Sequence, residues 1–241
     1  MGDRATEIRE LAPDLFMIRT GFPQVYLWRD GSEVTMIDAG FPGDEPALAA
    51  AFAELGFRTT ALRRLVLTHH HEDHTGAAAD LASWGDVEVV AHRADAPIIR
   101  GERQPPRRTL TEEERAVFER LSAGIPPAPP CRVDSEVEAG DVVAIGGGAA
   151  VISGAGHTEG SIGLLVGESR VLFTGDLIVT LSGGPTLGYF NDDAASARRS
   201  AAAMAAHDVL LLCPGHGDPV ADPRVLSGWG AALESSAPGN L

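Results

Sequence analysis

Thr68-His69-His70-His71-Glu72-Asp73-His74 sets imidazoles at positions 69, 71 and 74 and a carboxylate at 73. His69 and His71 stand two apart and Asp73 and His74 are adjacent, so a tight loop can aim all four side chains to one side. That is the spacing of metal ligands. Neutral imidazoles and carboxylates suit zinc and related divalent ions, and three protein ligands per ion leave a position open for water. His70 and Glu72 alternate with these residues, so the same loop geometry turns them away, and they are read as structural.

Working outward, a short apolar run at residues 65–67 precedes the loop. A helical pattern over about 77–84 and a second apolar run at 87–91 follow it. This alternation builds α/β layers and places the loop at the C-terminal end of a strand, the edge where ligands gather in such architectures. Upstream, runs rich in Val, Ile and Leu at 15–19, 25–29 and 34–37 predict an antiparallel meander. The turn residues of 41–46 then supply Asp44 as a cap for a helix over 47–55, which Gly56 ends. Downstream, strands are expected at 142–145, 149–153, 162–166, 171–173 and 209–212. Residues 191–193 are expected to cap an Ala-rich helix, and a final helix is expected from Pro223.

Residues 100–130 differ in character, with Pro105-Pro106 at one end and Pro126-Pro127 and Pro129-Pro130 at the other. Thr111 and Glu114 form a capping box for a helix between them. Two readings stand side by side: a surface excursion without function, or a lid or pocket wall using Val117, Phe118 and Leu121. The chain is otherwise expected to form a single domain.

Composition narrows the chemistry. A chain of 241 residues with 44% hydrophobic content can bury a sizeable core. The net charge of −15 repels polyanions and argues against nucleic acid as a partner. All 19 basic residues are Arg, so no lysine base, Schiff base or phosphate-binding lysine is available. Two cysteines, Cys131 and Cys213, are too few for a disulfide framework and suit a reducing, cytoplasmic setting. The charged N-terminus lacks a secretory pattern, and no apolar run reaches the roughly 20 residues that cross a bilayer. A soluble protein acting on a small molecule is expected.

Three further segments follow the loop in order: Gly156-His157-Thr158, Thr174-Gly175-Asp176 and Pro214-Gly215-His216-Gly217. With His-x-His-x-Asp-His at 69–74, they resemble the signature of the metallo-β-lactamase superfamily over roughly residues 15–219. The resemblance implies an α/β fold, a four-layer αββα sandwich. It also implies that His69, His71 and His157 hold one metal ion, that Asp73, His74 and His216 hold a second, and that Asp176 bridges them. Zinc is the first expectation, with manganese or iron as alternatives. Asp38, in Ile37-Asp38-Ala39-Gly40, matches a position near the site in this superfamily, where it would orient a ligand histidine. It is equally read as turn chemistry at a strand end.

The implied chemistry is hydrolytic. Paired ions lower the pKa of a shared water toward neutrality, giving a bridging hydroxide that attacks an ester, thioester or lactone carbonyl, with Asp73 and Asp176 as the acting carboxylates. Departures from relatives shape the substrate expectation. Zinc β-lactamases resembling this sequence usually carry Cys or Ser where Asp176 stands. Quorum-sensing lactonases carry a Tyr where Leu177, Ile178 and Val179 stand here. Tyr189 or Tyr26 would supply such a hydroxyl only if a loop folded over the metals, and a packing role is the commoner one. Glu159 stands where relatives often have Pro. Hydroxyacylglutathione hydrolases have an added C-terminal region with basic contacts, which is not expected here. The alternative is an iron-dependent oxidoreductase resembling the persulfide dioxygenases, whose iron takes the same His and carboxylate ligands.

Overall fold

The computed structural model describes residues 6–108 and 110–235. They divide into two compact units, one holding residues up to 104 together with 124–137, the other 105–123 together with the chain from 138 onward.

The first unit is built on a seven-stranded sheet whose strands lie in sequence order. These are β1 (Glu7–Ala12), β2 (Leu15–Arg19), β3 (Gln24–Asp30), β4 (Glu33–Ile37), β5 (Leu62–Leu67), β6 (Glu88–His92) and β7 (Ser135–Val137). The expected meander is present as β2 to β4. It extends one strand further, to β1, whose sequence EIRELA carries little apolar alternation. From β1 to β4 the pairing is antiparallel, and from β4 to β7 it is parallel. Parallel strands bring their C-terminal ends to one edge, so the chain emerging after β4, β5 and β6 does so side by side.

The helices of this unit are α1 (Glu45–Glu54), α2 (Glu72–Thr75), α3 (Ala78–Leu81) and α4 (Ala96–Ile99). Leu48 and Phe52 of α1 join Met36, Leu65 and Leu67 in a fully buried cluster, and each such side chain contributes about 1.5–3 kcal/mol on leaving water. Asp44 does occupy the N-cap position of α1 but makes no side-chain cap bond there. Its carboxylate instead accepts from the Thr20 hydroxyl at 2.6 Å and the Phe41 amide at 2.9 Å, closing the preceding turn. The helix expected over 77–84 is shorter, α3 ending at Leu81, and an extra turn, α2, precedes it and carries Asp73 and His74. Between the two, a side chain at Gly76 would collide with the backbone of Phe41 and Pro42.

The second unit begins with α5 (Glu112–Ser122), whose Thr111–Glu114 capping box forms as expected. Phe118 packs edge-on against Phe190 at 5.4 Å and carries the Arg108 guanidinium over its face, while Val117 and Leu121 stay exposed. The strands are β8 (Val142–Val143), β9 (Ala149–Ser153), β10 (Ile162–Val166), β11 (Val171–Gly175), β12 (Ile178–Val179) and β13 (Thr186–Leu187). Then come α6 (Ala194–Ala205), β14 (Leu211–Pro214) and α7 (Pro223–Ser235). Five of these strands form a sheet in the order β14-β11-β10-β9-β8, and β12 pairs with β13 apart from it. The last strand starts two residues later than expected. Both β9 and β11 run antiparallel to β10, and β14 runs parallel to β11. The C-terminal ends of β9, β11 and β14 therefore share one edge.

Asp193 caps α6 by accepting from the Ala195 and Ser196 amides. The Ser196 hydroxyl, with its amide, holds the Asp193 carboxyl below the usual carboxylate range. Ala197, Ala201, Met204 and Ala205 recur at helical spacing on the buried face of α6, where they meet Leu226 and Leu233 of α7. Among the described residues no helix is long and apolar enough to cross a membrane.

Candidate metal centre

The chain leaves β5 at Thr68 and turns at once into the His-rich loop, with His71 at the N-cap of α2. His69, His71 and His74 are buried, while Asp73 keeps partial exposure. The His69 ring lies 4.5 Å from that of His71 and 4.1 Å from that of His74, centroid to centroid. Ligand atoms of His69 and His71 lie within 4.8 Å of one another, as do those of Asp73 and His74. The four residues singled out in this loop are thus brought together.

Their neighbours hold them by hydrogen bonds from both flanking strands. Asp38 follows β4 with φ +63°, a left-handed conformation that Asp tolerates better than most residues. Its carboxylate accepts from the Thr68 amide at 2.8 Å, the Thr68 hydroxyl at 2.9 Å and His74 Nδ1 at 2.8 Å. With its proton committed to Asp38, the Thr68 hydroxyl accepts from His69 Nδ1 at 3.0 Å. One carboxylate therefore orients two histidines, and of the two readings of Asp38 the geometry supports the orienting one. Asp95, after β6, accepts from both the amide and Nδ1 of His70 at 3.0 Å, and so fixes that ring, which packs edge-on against His71 at 5.0 Å. Nothing in the sequence around Asp95 signals this role, because it depends on β5 and β6 being parallel neighbours. The backbone adds two ties to the exit of β4, from the Ala39 amide to the His74 carbonyl at 2.8 Å and from the Gly76 amide to the Gly40 carbonyl at 2.9 Å.

The second unit gathers the other three. His157 follows β9, Asp176 follows β11 and His216 follows β14, the three strand ends that share an edge. His157 Nε2 lies 3.8 Å and His216 Nε2 3.2 Å from the same oxygen of Asp176. The His216 turn is pinned beside that of Asp176 by bonds from the Gly215 amide to the Gly175 carbonyl, 2.8 Å, and from the Thr180 amide to the His216 carbonyl, 3.1 Å.

The donors of each unit are of the kind that suits a divalent metal of borderline softness: His69, His71, His74 and Asp73 in the first, His157, His216 and Asp176 in the second. Protons committed at Nδ1 of His69 and His74 leave the lone pair on Nε2, and the Nε2 atoms of His69, His71 and His74 are all buried. The remaining histidines lie elsewhere: His92 accepts from the Ala94 amide at a turn, and His207 is exposed beyond α6. Tyr26 is buried in β3 and accepts from Gln24, so it belongs to the core, whereas Tyr189 is exposed beside Phe190. Glu159 faces solvent. Both cysteines are buried, and burial pushes the pKa of the Cys131 thiol up to about 11.

The family model of the metallo-beta-lactamase superfamily matches residues 18–216, and the chain belongs to that superfamily. Similar proteins include the probable metallo-hydrolase YflN of Bacillus subtilis (strain 168), 29% identical over 206 residues that cover 77% of this chain and 75% of that one. A hydroxyacylglutathione hydrolase of Rhodopseudomonas palustris (strain BisB5) is 29% identical over 161 residues, covering 66% of this chain and only 49% of the relative. The chain thus spans about half the length of that hydrolase. Among solved structures, BJP-1, a subclass B3 metallo-beta-lactamase of Bradyrhizobium japonicum, matches with a TM-score of 0.72 at 21% identity, covering 96% of this chain and 92% of that one. That likeness concerns the fold alone, and the fold is the α/β metallo-β-lactamase fold expected from the His-rich loop.

Proposed function

We propose that the chain is a dinuclear metal-dependent hydrolase acting on an ester, thioester or lactone. In this reading His69, His71 and His157 hold one divalent ion, Asp73, His74 and His216 hold a second, and Asp176 serves both. Zinc is the first expectation. The observation that carries the reading is the position of Asp176: a single carboxylate oxygen stands near both His157 and His216, the histidines assigned to different ions. That is what a bridging ligand requires. Membership of the superfamily and similarity to a hydroxyacylglutathione hydrolase support a hydrolytic reading.

Such ions, when bound, acidify a coordinated water and polarise a carbonyl oxygen. The chain's own part is orientation. Asp38 and Thr68 hold His69 and His74 in one tautomer, and the partly exposed Asp73 accepts a hydrogen bond from the attacking water and so aligns it. The test is metal analysis of the purified protein followed by a panel of lactones, thioesters, esters, phosphodiesters and β-lactams. Two equivalents of metal with turnover of an ester, thioester or lactone is the expected result. One equivalent of iron with oxygen uptake on glutathione persulfide would replace this reading with an oxidative one.

A further inference from the structure

The sequence pattern of residues 191–193 predicts a helix cap, yet of these residues Asp193 alone caps α6. Asn191 makes different contacts. Its Oδ1 lies 3.2 Å from Nδ1 of His157, and its Nδ2 lies 2.6 Å from the carbonyl oxygen of Gly188. A primary amide has one accepting end and one donating end, and a backbone carbonyl oxygen accepts only. The contact with Gly188 therefore requires the amide nitrogen on that side, which leaves the oxygen facing His157. An oxygen there can only accept, so Nδ1 of His157 carries the proton and the lone pair resides on Nε2, the atom directed toward Asp176.

We propose that Asn191 is a positioning residue that sets the tautomer and ring plane of His157 for metal ligation; the inference rests on the metal-site reading above. Its surroundings fix it in place. Gly188 donates its amide to the Leu177 carbonyl at 3.0 Å, and a side chain there would collide with the carbonyl oxygen of Asp176. The anchor of Asn191 is thereby set on the same turn that presents Asp176. On the other side, the Asp192 amide donates to the His157 carbonyl at 3.1 Å and the Asp193 amide to the Gly156 carbonyl at 2.9 Å, so the backbone around Asn191 brackets that of His157. Phe190, the preceding residue, has φ +60° and is braced by Phe118 of α5. Asn191 thus links His157 to Asp176 through Gly188.

The experiment reads the imidazole nitrogen shifts of His157 in metal-free protein by NMR, assigned against His157→Gln, together with zinc affinity by competition with a chromophoric chelator. Wild type is expected to show the Nδ1–H tautomer, a measurement that needs no Asn191 variant to fold. Asn191→Leu is expected to admit the Nε2–H tautomer and weaken zinc binding about 10–100-fold. Asn191→Asp, which keeps an acceptor for Nδ1 but loses the donor to Gly188, is expected to keep the Nδ1–H tautomer and recover only part of the affinity. An Nε2–H tautomer in wild type, or Asn191→Leu with tautomer and affinity unchanged, overturns the proposal. Wild type that binds no zinc overturns the metal reading beneath it, while the tautomer result still decides what Asn191 does.

Discussion

The Asp38 carboxylate accepts a hydrogen bond from His74 Nδ1 at 2.8 Å across 36 residues of sequence. The same group holds Thr68, and through it His69. Replacing Asp38 by Ala removes the partner of one proposed ligand directly and of another through Thr68. Zinc affinity is expected to fall at least about 10–100-fold, the range for a partner of a metal-bound histidine. Competition titration checks this, with circular dichroism to establish that the variant is folded. Wild-type affinity would show that Asp38 shapes only the turn.

His69→Ala and Asp176→Ala each delete a proposed ligand, and Asp176 serves both ions. Metal content and turnover are expected to fall together in folded protein, by more than the Asp38 variant loses. Exhaustive chelation should likewise abolish hydrolysis, and added Zn²⁺ or Mn²⁺ should restore it. Full activity in either variant would refute the assignment.

Asp95 is buried and satisfies both the amide and the ring of His70. In Asp95→Ala the His70 amide loses its acceptor in a half-buried place, at an expected cost of about 1–3 kcal/mol in denaturant unfolding. Because the proposed ligand loop is anchored there, metal affinity should fall as well. A variant as stable as wild type would mean that water replaces the carboxylate without loss.

Cys131 ionises near pH 11 in the folded chain, against 9.0 for an unperturbed thiol, mainly because burial penalises the thiolate. In the unfolded chain the thiol is released to its ordinary value. Between those two values the unfolded state binds fewer protons than the folded one, so stability is full below pH 9 and declines as pH rises toward 11. Unfolding curves across that window should show a decline that is reduced in Cys131→Ala. In native protein at pH 7.5, roughly neutral conditions, the thiol should resist alkylation; rapid labelling would contradict its burial.

Phe52 is fully buried in α1, with edge-on contacts to Phe57 at 6.0 Å and Trp84 at 5.1 Å. Phe52→Ala is expected to cost about 3–5 kcal/mol, and Phe52→Leu much less, because the leucine refills most of the cavity. Chemical denaturation of the two variants distinguishes this from a peripheral site, where both would cost little.

The His-x-His-x-Asp-His loop with the three later motifs, the meander and the capping box of α5 were legible in the sequence because each is a local signal: residue type at short spacing, alternation along a strand, or a cap closed within one turn. Asp38 was legible only as a choice between two roles. Asp95 and Asn191 carried no signal for their contacts, since neither lies next to the histidine it holds. Strand pairing settled those contacts. Parallel β4, β5 and β6 deliver Asp38, Thr68 and Asp95 to one edge, and β9, β11 and β14 deliver His157, Asp176 and His216 to another. Hydrogen bonds form wherever donor and acceptor meet in space, and for residues 25 to 36 positions apart that meeting depends on sheet register, which a linear pattern does not encode.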